Sequence, residues 1–439
     1  MLQAVFNAWR IPDLRRKILF TLGILVIFRI LAQVTLPGVD IDALRSIFSQ
    51  NDNRSSVLNL LNVFSGGTLD TFSIVAMGVY PYITASIIMQ LLIPIIPSLT
   101  EMSKEGGEQG RNRINRYTHY LTVPLALLQA YGQATLLSSG NAQVIQNFGL
   151  FGPGWLKTIA LLTTMTAGTM LLVWMGELIT EQGIGNGISI LIFGGIVARL
   201  PVLAGQVLSG GSAVASFFQI LAIVAITLVT IAGIVMITLG ERRIPVQYTR
   251  RVRGNRIIRG GGSTHIPLKV NYAGMIPLIF AVSIMIFPAT LASFFLNANT
   301  AWVRSAATWV QSVFNPRSYL YQSGYFLMVV AFTYFYTMVI FQQQNIPENL
   351  QRQGGFIPGI RPGKPTAVYL QRVLNRITLI GALFLGLVAI LPWLVGILTG
   401  AQNVLISSTA LLIVVGVAID TMRQLEAQLL MRHYEGFIK

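Results

Sequence analysis

The sequence predicts an all-α integral membrane protein with ten transmembrane helices in two inverted five-helix halves. Three observations predict it. Only 10% of the 439 residues are charged and 53% are hydrophobic, whereas soluble domains carry about 25% charged residues. Ten apolar runs are long enough to cross a bilayer, which takes roughly 20 helical residues. The basic residues collect on alternate connections between those runs.

The chain begins with Leu2, Val5, Phe6 and Trp9 on one helical face, the pattern of a short interfacial helix. Arg15, Arg16 and Lys17 then precede an apolar run that has no small-residue cleavage site, so an uncleaved anchor is expected. That first span, 18–36, carries Arg29, whose charge is costly at mid-membrane and is expected to face a polar cavity or neighbouring helices. In the connection that follows, the apolar piece 57–64 is too short to cross and stops at Gly66-Gly67. The second span, 72–96, holds Pro81 inside it. A half-length segment joined through glycines to a span suggests backbone tucked into a protein-lined cavity, since lipid leaves such a break unpaired. An ordinary loop before an ordinary span is the competing reading.

The remaining spans are expected at 117–137, 155–178, 188–208, 213–239, 273–296, 319–341, 377–398 and 404–418. Gly210-Gly211 divides the chain into an N-terminal half, 1–209, and a C-terminal half, 210–439. With both termini cytoplasmic, the inner segments hold 24 Lys and Arg and the outer segments six, which fixes the expected orientation. Five spans in each half set the halves upside down relative to one another. The long connection 37–71 then corresponds to 240–272, and 97–116 to 297–318, each pair on opposite faces. Inverted repeats commonly hold the permeation site between them.

The spans carry no Asp, Glu, Lys or His well inside the apolar core; Glu177 and Asp420 sit at span ends. There is no cysteine, and no HExxH, GxSxG or phosphate-loop pattern. No catalytic residue, metal site or cofactor is therefore expected. An ion-coupled secondary transporter, which usually needs charged groups at mid-membrane, is the alternative kept open, because backbone carbonyls at broken helices can also coordinate ions.

Two inner connections stand out. Segment 240–272 carries seven arginines and Lys269 against the single acid Glu241. Val246 and Tyr248 alternate with polar residues and Gly254-Asn255 offers a turn, so a projecting basic β-hairpin is expected, suited to phosphate or acidic protein; an orientation signal touching anionic lipid is the plainer reading. Segment 342–372 contains GGFIPGIRPGKPT, in which Arg361 sits between prolines and glycines that limit the backbone. It is expected to be a docking point or a capping residue.

Several blocks in order give the chain a family resemblance: VFSGGTLDTFSIVAMGVYPYITASIIMQLL, KEGGEQGRNRINRYT, GELITEQGIGNGISILIF, GERRIPVQYTRR, STHIPLKVNYAGMIPLIFA, FIPGIRPGKPT and LLIVVGVAID. These resemble the SecY family of protein-conducting channels along the whole length. The resemblance implies a central hourglass pore between the halves. It implies a constriction ring of Val79, Ile83, Ile188, Ile192, Ile279 and Ile413, with valine slightly smaller than isoleucine at the first position. It also implies a plug formed by Phe64, Ser65, Gly66, Gly67, Thr68 and Leu69 within segment 57–71, and a lateral gate near Thr84, Ile87 and Phe287. Arg251, Arg256 and Arg361 would receive the ribosome or the SecA motor. SecE and SecG subunits, preprotein substrates with their signal sequences, membrane lipids and a bacterial plasma-membrane location are implied in the same way. The residues themselves support one part: Val79 with Ile83, and Ile188 with Ile192, are four apart and share a helical face.

Overall fold

The computed structural model describes residues 9, 11–49, 58, 62, 65–104, 107–138, 144–145, 148–149, 154–209, 213–248, 252–253, 256–257, 264–295, 300–316, 318–399 and 408–435. The expected interfacial residues Leu2, Val5 and Phe6, the plug residue Phe64 and the hairpin residue Arg251 lie outside them.

Each expected span overlaps a helix. In the first half these are α1 (Pro12–Leu31), α3 (Tyr80–Leu92), α5 (Gly107–Ser138), α6 (Trp155–Gln182) and α7 (Gly187–Ser209). In the second they are α8 (Ala213–Leu239), α9 (Ile276–Ser293), α11 (Tyr319–Gln344), α13 (Lys364–Thr399) and α14 (Ser408–Glu435). The connections add α2 (Ile41–Ser49), α4 (Pro97–Lys104), α10 (Ala301–Val313) and α12 (Ile346–Arg352). The connections 97–116 and 297–318, expected to correspond, thus each carry an extra helix.

The second span departs most from expectation. Helix starts only at Tyr80, with Pro81 in its first turn, where a missing N–H costs nothing. It ends at Leu92, before Pro94, and α4 leaves at 103° to it. Residues 72–79 are turns apart from Ser73, which bridges antiparallel to Thr35, yet Phe72, Val75, Ala76, Met77 and Val79 are all buried. Phe72 even holds φ at 42°, a left-handed conformation that costs a bulky residue energy. This irregular backbone is therefore enclosed by protein, a setting in which membrane depth tolerates it.

Most buried side chains form one hydrophobic cluster running through both halves. The halves meet along two seams: α9 packs on α3 and α5, and α7 packs on α8 and α14. Helix α1 buries Leu14, Thr21, Ile24 and Phe28 and exposes Leu19, Leu22, Val26, Ile27 and Ile30, a protein side and a lipid side. Arg29 is half-buried beside the buried stripe.

Beyond the helix ends, β1 (Glu241–Tyr248) pairs antiparallel with β4 (Thr264–Lys269), and β2 (Val252–Arg253) with β3 (Arg256–Ile257). The basic arm is a hairpin, as the alternation predicts. It is also fastened at its base, which the sequence reading did not foresee. A two-residue strand of the next connection, β5 (Gly355–Phe356), pairs with the other edge of β1, giving the order β4-β1-β5. Ile244, Val246 and Leu268 pack with Phe341, Ile357 and Leu374 in a separate apolar cluster. The two connections therefore share one three-stranded sheet, seated on α11 and α13.

Candidate functional site

The expected ring residues all belong to or pack against the main apolar cluster. Val79, Ile83, Ile192, Ile279 and Ile413 are buried in the main cluster, with 0–8% of their surface exposed, and partly buried Ile188 packs against it. Val79 is the N-cap of α3, and Ile83 donates its N–H to the Val79 carbonyl at 3.1 Å, so the pair sits on the first turn. Ile188 and Ile192 occupy the first turns of α7, Ile279 the first turn of α9, and Ile413 the start of α14. The expected ring residues thus sit at or near the starts of four helices drawn from both halves.

The segment expected to plug the pore lies beside two of these residues. Ser65 and Gly66 line one narrow gap with Val79, Ile192, Phe28 and Leu172. Gly66 holds φ at 74° and Gly67 at 83°, a region that glycine enters freely. A Cβ on Gly66 would lie 2.6 Å from the Cα of Gly195 on α7, so two backbones touch where neither residue has a side chain.

Polar bonds fix the rest of the segment. The buried Thr68 hydroxyl donates to the carbonyls of Ser65 at 3.0 Å and Val75 at 2.9 Å, and the Thr71 hydroxyl to that of Ala32 at 2.9 Å. Arg199 on α7 pairs with Asp70 at 2.8 Å, and Asn62 donates to the same carboxylate. Burial pushes the Asp70 carboxyl above its ordinary value of 3.8, against the pull of Arg199 and the Asn62 bond. Sequence reasoning counted Arg199 only as an outer charge and did not single out Asp70. A separation of 129 residues leaves no local trace of their pairing.

Of the expected gate residues, Thr84 and Ile87 on α3 are buried and Phe287 on α9 is half-buried, and these two helices pack on one another. The buried Tyr80 hydroxyl crosses the α3–α9 seam to donate to the Ser283 carbonyl at 3.1 Å. Helix α5 joins it as well. Gln129 donates to the Thr84 hydroxyl at 3.3 Å, and Tyr131 stacks on Phe294 with ring centroids 5.3 Å apart. Tyr80, Gln129 and Tyr131 were missed because each reads as ordinary core in its own helix.

Toward the basic sheet a cavity of about 250 Å³ opens at the other seam, lined by Asn186, Ser189, Lys269, Asp420 and Arg423. Burial and Arg423 push the Lys269 ammonium down, partly offset by Asp420 and Glu241; burial pushes Asp420 up against both cations. Arg423 also donates to the Thr238 carbonyl at 3.3 Å. Arg361 is exposed in a short loop that Gly359 and Gly363 turn at positive φ, and its carbonyl accepts from the Thr366 hydroxyl at 2.8 Å. Arg256 lies in β3.

Comparison with known proteins agrees with this architecture. The SecY family model matches residues 73–422. The protein translocase subunit SecY of Thermotoga maritima is 45% identical over all of this chain and 98% of its own length. That of Streptomyces scabiei is 42% identical over the full length of both. Among solved structures, a protein-conducting channel aligns with a TM-score of 0.60 at 17% identity, covering 94% of this chain and 92% of its own. Sec61 in a canine ribosome–channel complex from the endoplasmic reticulum aligns with a TM-score of 0.61 at the same identity and coverage. A further structure, with a TM-score of 0.61 at 17% identity and the same coverage, is a SecY protein whose plug domain stabilises the closed state of its translocation channel. With four-fifths of its length matched by one family and full-length relatives above 40% identity, the chain belongs to the SecY family.

Proposed function

We infer that the chain forms the conducting pore of a protein translocase. Unfolded polypeptides cross the membrane through its centre, and apolar signal or transmembrane segments leave sideways into lipid. The observation that carries this reading is the shared gap: Ser65 and Gly66, read as part of the plug, line it together with Val79 and Ile192, two of the aliphatic residues read as the ring. A ring of branched aliphatic tips dewets a narrow passage and hinders ions. It also yields to a polypeptide, because no directional bond has to break. Phe64 to Leu69 act as the stopper. Thr84, Ile87 and Phe287 border the exit to lipid, with the α3–α9 seam as the gate.

Energy comes from a partner. The exposed Arg361 and the hairpin arginines Arg251 and Arg256 dock the ribosome or the SecA motor. Ribosome-bound channels among the structural neighbours support the first, and basic side chains suit both RNA phosphate and acidic protein. Companion SecE and SecG subunits and a bacterial plasma membrane, with both termini cytoplasmic, complete the reading; the charge asymmetry of the connections supports the orientation. No observation favours the secondary-transporter alternative.

Reconstitution tests the function. Complex in proteoliposomes is expected to move a preprotein inward with SecA and ATP. Failure to do so, with a small solute crossing under an ion gradient instead, overturns the reading. The gate has its own test in this cysteine-free chain: Thr84→Cys with Phe287→Cys, oxidised to a disulfide, is expected to block transport, and reduction to restore it.

A further inference from the structure

Helix α10 divides its surface three ways. At about 100° per residue, Trp302 and Trp309, seven apart, fall within roughly 20° of one another. Both indoles are exposed, at 73% and 66%. About a quarter-turn round, Val303, Ala307 and Val310 turn inward, with Ala307 buried and the valines half-buried. The third side is hydrophilic and exposed: Arg304, Ser305, Thr308 and Ser312. Packing against the protein therefore accounts for one apolar side and water for the polar one. The two tryptophans, large and apolar, are left over.

The placement of the helix says what covers them. It packs on α9, which runs from the basic sheet to α10, so α10 sits at the end of the bundle opposite that sheet. Its flanks carry exposed lipid-side residues: Phe295 just after α9, and Tyr319, Leu320 and Leu327 along α11. Tyr319 packs edge-on against Trp393 of α13, centroids 4.9 Å apart. The tryptophan strip thus continues the membrane-facing surface at the end of two spans. Indole, an apolar ring with one N–H donor, is suited to the boundary between acyl chains and headgroups.

We propose that α10 is an interfacial anchor: the Trp302–Trp309 strip lies in the headgroup boundary of the leaflet opposite the basic sheet and ties the far end of α9 to the bilayer surface. A helix with a polar side and an apolar side settles about 5–10 Å into that boundary, and its attachment scales with the apolar area it buries. Because α9 forms one wall of the α3–α9 seam, lipid in that leaflet bears directly on how far the wall moves.

Single cysteines in the otherwise cysteine-free chain test this, each labelled with an environment-sensitive fluorophore in complex reconstituted into phospholipid vesicles. Ala306→Cys, on the strip side with both indoles kept, is compared with Trp302→Cys, Trp309→Cys and, on the polar side, Thr308→Cys. The strip labels are expected to emit at shorter wavelength than the Thr308 label. A nitroxide near the headgroup end of the lipid chain is expected to quench them about twofold more strongly than one near the chain terminus, as its depth requires. Equal quenching of all four labels by a water-soluble quencher overturns the proposal, since the strip then faces water. So does shielding from both lipid and water quenchers that persists in detergent, since protein then covers the strip.

Discussion

The proposed plug segment meets two residues of the proposed constriction ring, Val79 and Ile192, yet the two features are held by opposite kinds of force. The residues proposed as the ring carry aliphatic side chains that cannot hydrogen-bond and lie in or against the main apolar cluster, so what their side chains contribute is non-directional burial, about 25 cal/mol per Å² of apolar surface. The plug segment is pinned by directional contacts: the Thr68 hydroxyl on two carbonyls, the Asp70–Arg199 pair, and a backbone contact that only glycines allow. The difference divides the labour. Aliphatic tips slide apart and return without a defined geometry, which suits a seal that fits any polypeptide. Directional bonds give one seated position and a threshold for leaving it. Weakening plug contacts should therefore shift a population between seated and unseated, and polar substitutions in the ring should change how readily the closed passage wets.

Gly66→Val is expected to have the largest effect. A left-handed conformation alone costs a residue with a Cβ about 1–2 kcal/mol. The clash adds to that, because the obstructing atom is the Cα of Gly195 and cannot swing away. The seated fraction should fall by at least about tenfold, read as resting ion conductance of reconstituted complex in planar bilayers. Unchanged conductance would mean that the Gly66–Gly195 contact is no part of the seal.

Next come the ring substitutions Ile192→Asn and Ile413→Asn, at positions 5% and 0% exposed. A polar tip eases wetting of the constriction, so resting leak should rise by about threefold with the plug still seated. Two positions on different helices guard against one variant failing to fold. Resting conductance unchanged in both would argue that the cluster is packing alone.

Arg199→Ala should do less. The pair is partly exposed, with 21% and 40% of the two side chains accessible, so its removal is worth about 1 kcal/mol, roughly a fivefold loss of seating. Adding Asp70→Asn should recover part of that loss, because the stranded carboxylate goes with it, and the double variant should fall short of the sum of the two singles. Simple additivity would show that the two groups act on the plug independently.

These contacts also mark where the sequence was legible. The ten apolar runs and the basic hairpin could be read because their signals are local: length, charge placement and the alternation around Val246. The hairpin's fastening could not, since Gly355 and Phe356 look like loop until β1 supplies the partner edge. The start of α3 was misplaced by eight residues because Phe72–Val79 is apolar enough for a span. What sets its backbone is φ at Phe72 and Gly78 and the enclosing protein, neither of which hydropathy reports. Family resemblance pointed to the ring, plug and gate, and that Ser65 and Gly66 lie beside Val79 and Ile192 needed coordinates. The Asp70–Arg199 pair had no sequence signal at all beyond the scarcity of acids in the outer segments.

The smallest expected effect is on pH dependence, and it isolates the directional side of the comparison. In the seated plug, burial holds the Asp70 pKa above 3.8 despite Arg199 and Asn62, whereas in an unseated, solvated plug the carboxyl returns toward its ordinary value. The seated state then binds the proton more tightly. Seating is favoured most below 3.8, where both states are protonated, and weakens as pH rises from there through the raised value. Above that window the preference is flat. Resting conductance of wild-type complex should accordingly rise slightly from acid toward neutral pH, and Asp70→Asn, which keeps the shape and removes the titration, should abolish the slope. The ring has no titrating member, so Ile413→Asn should raise the conductance at every pH and leave the slope as it was. A slope that survives Asp70→Asn would transfer the pH sensitivity to another group and leave the carboxylate as a structural contact only.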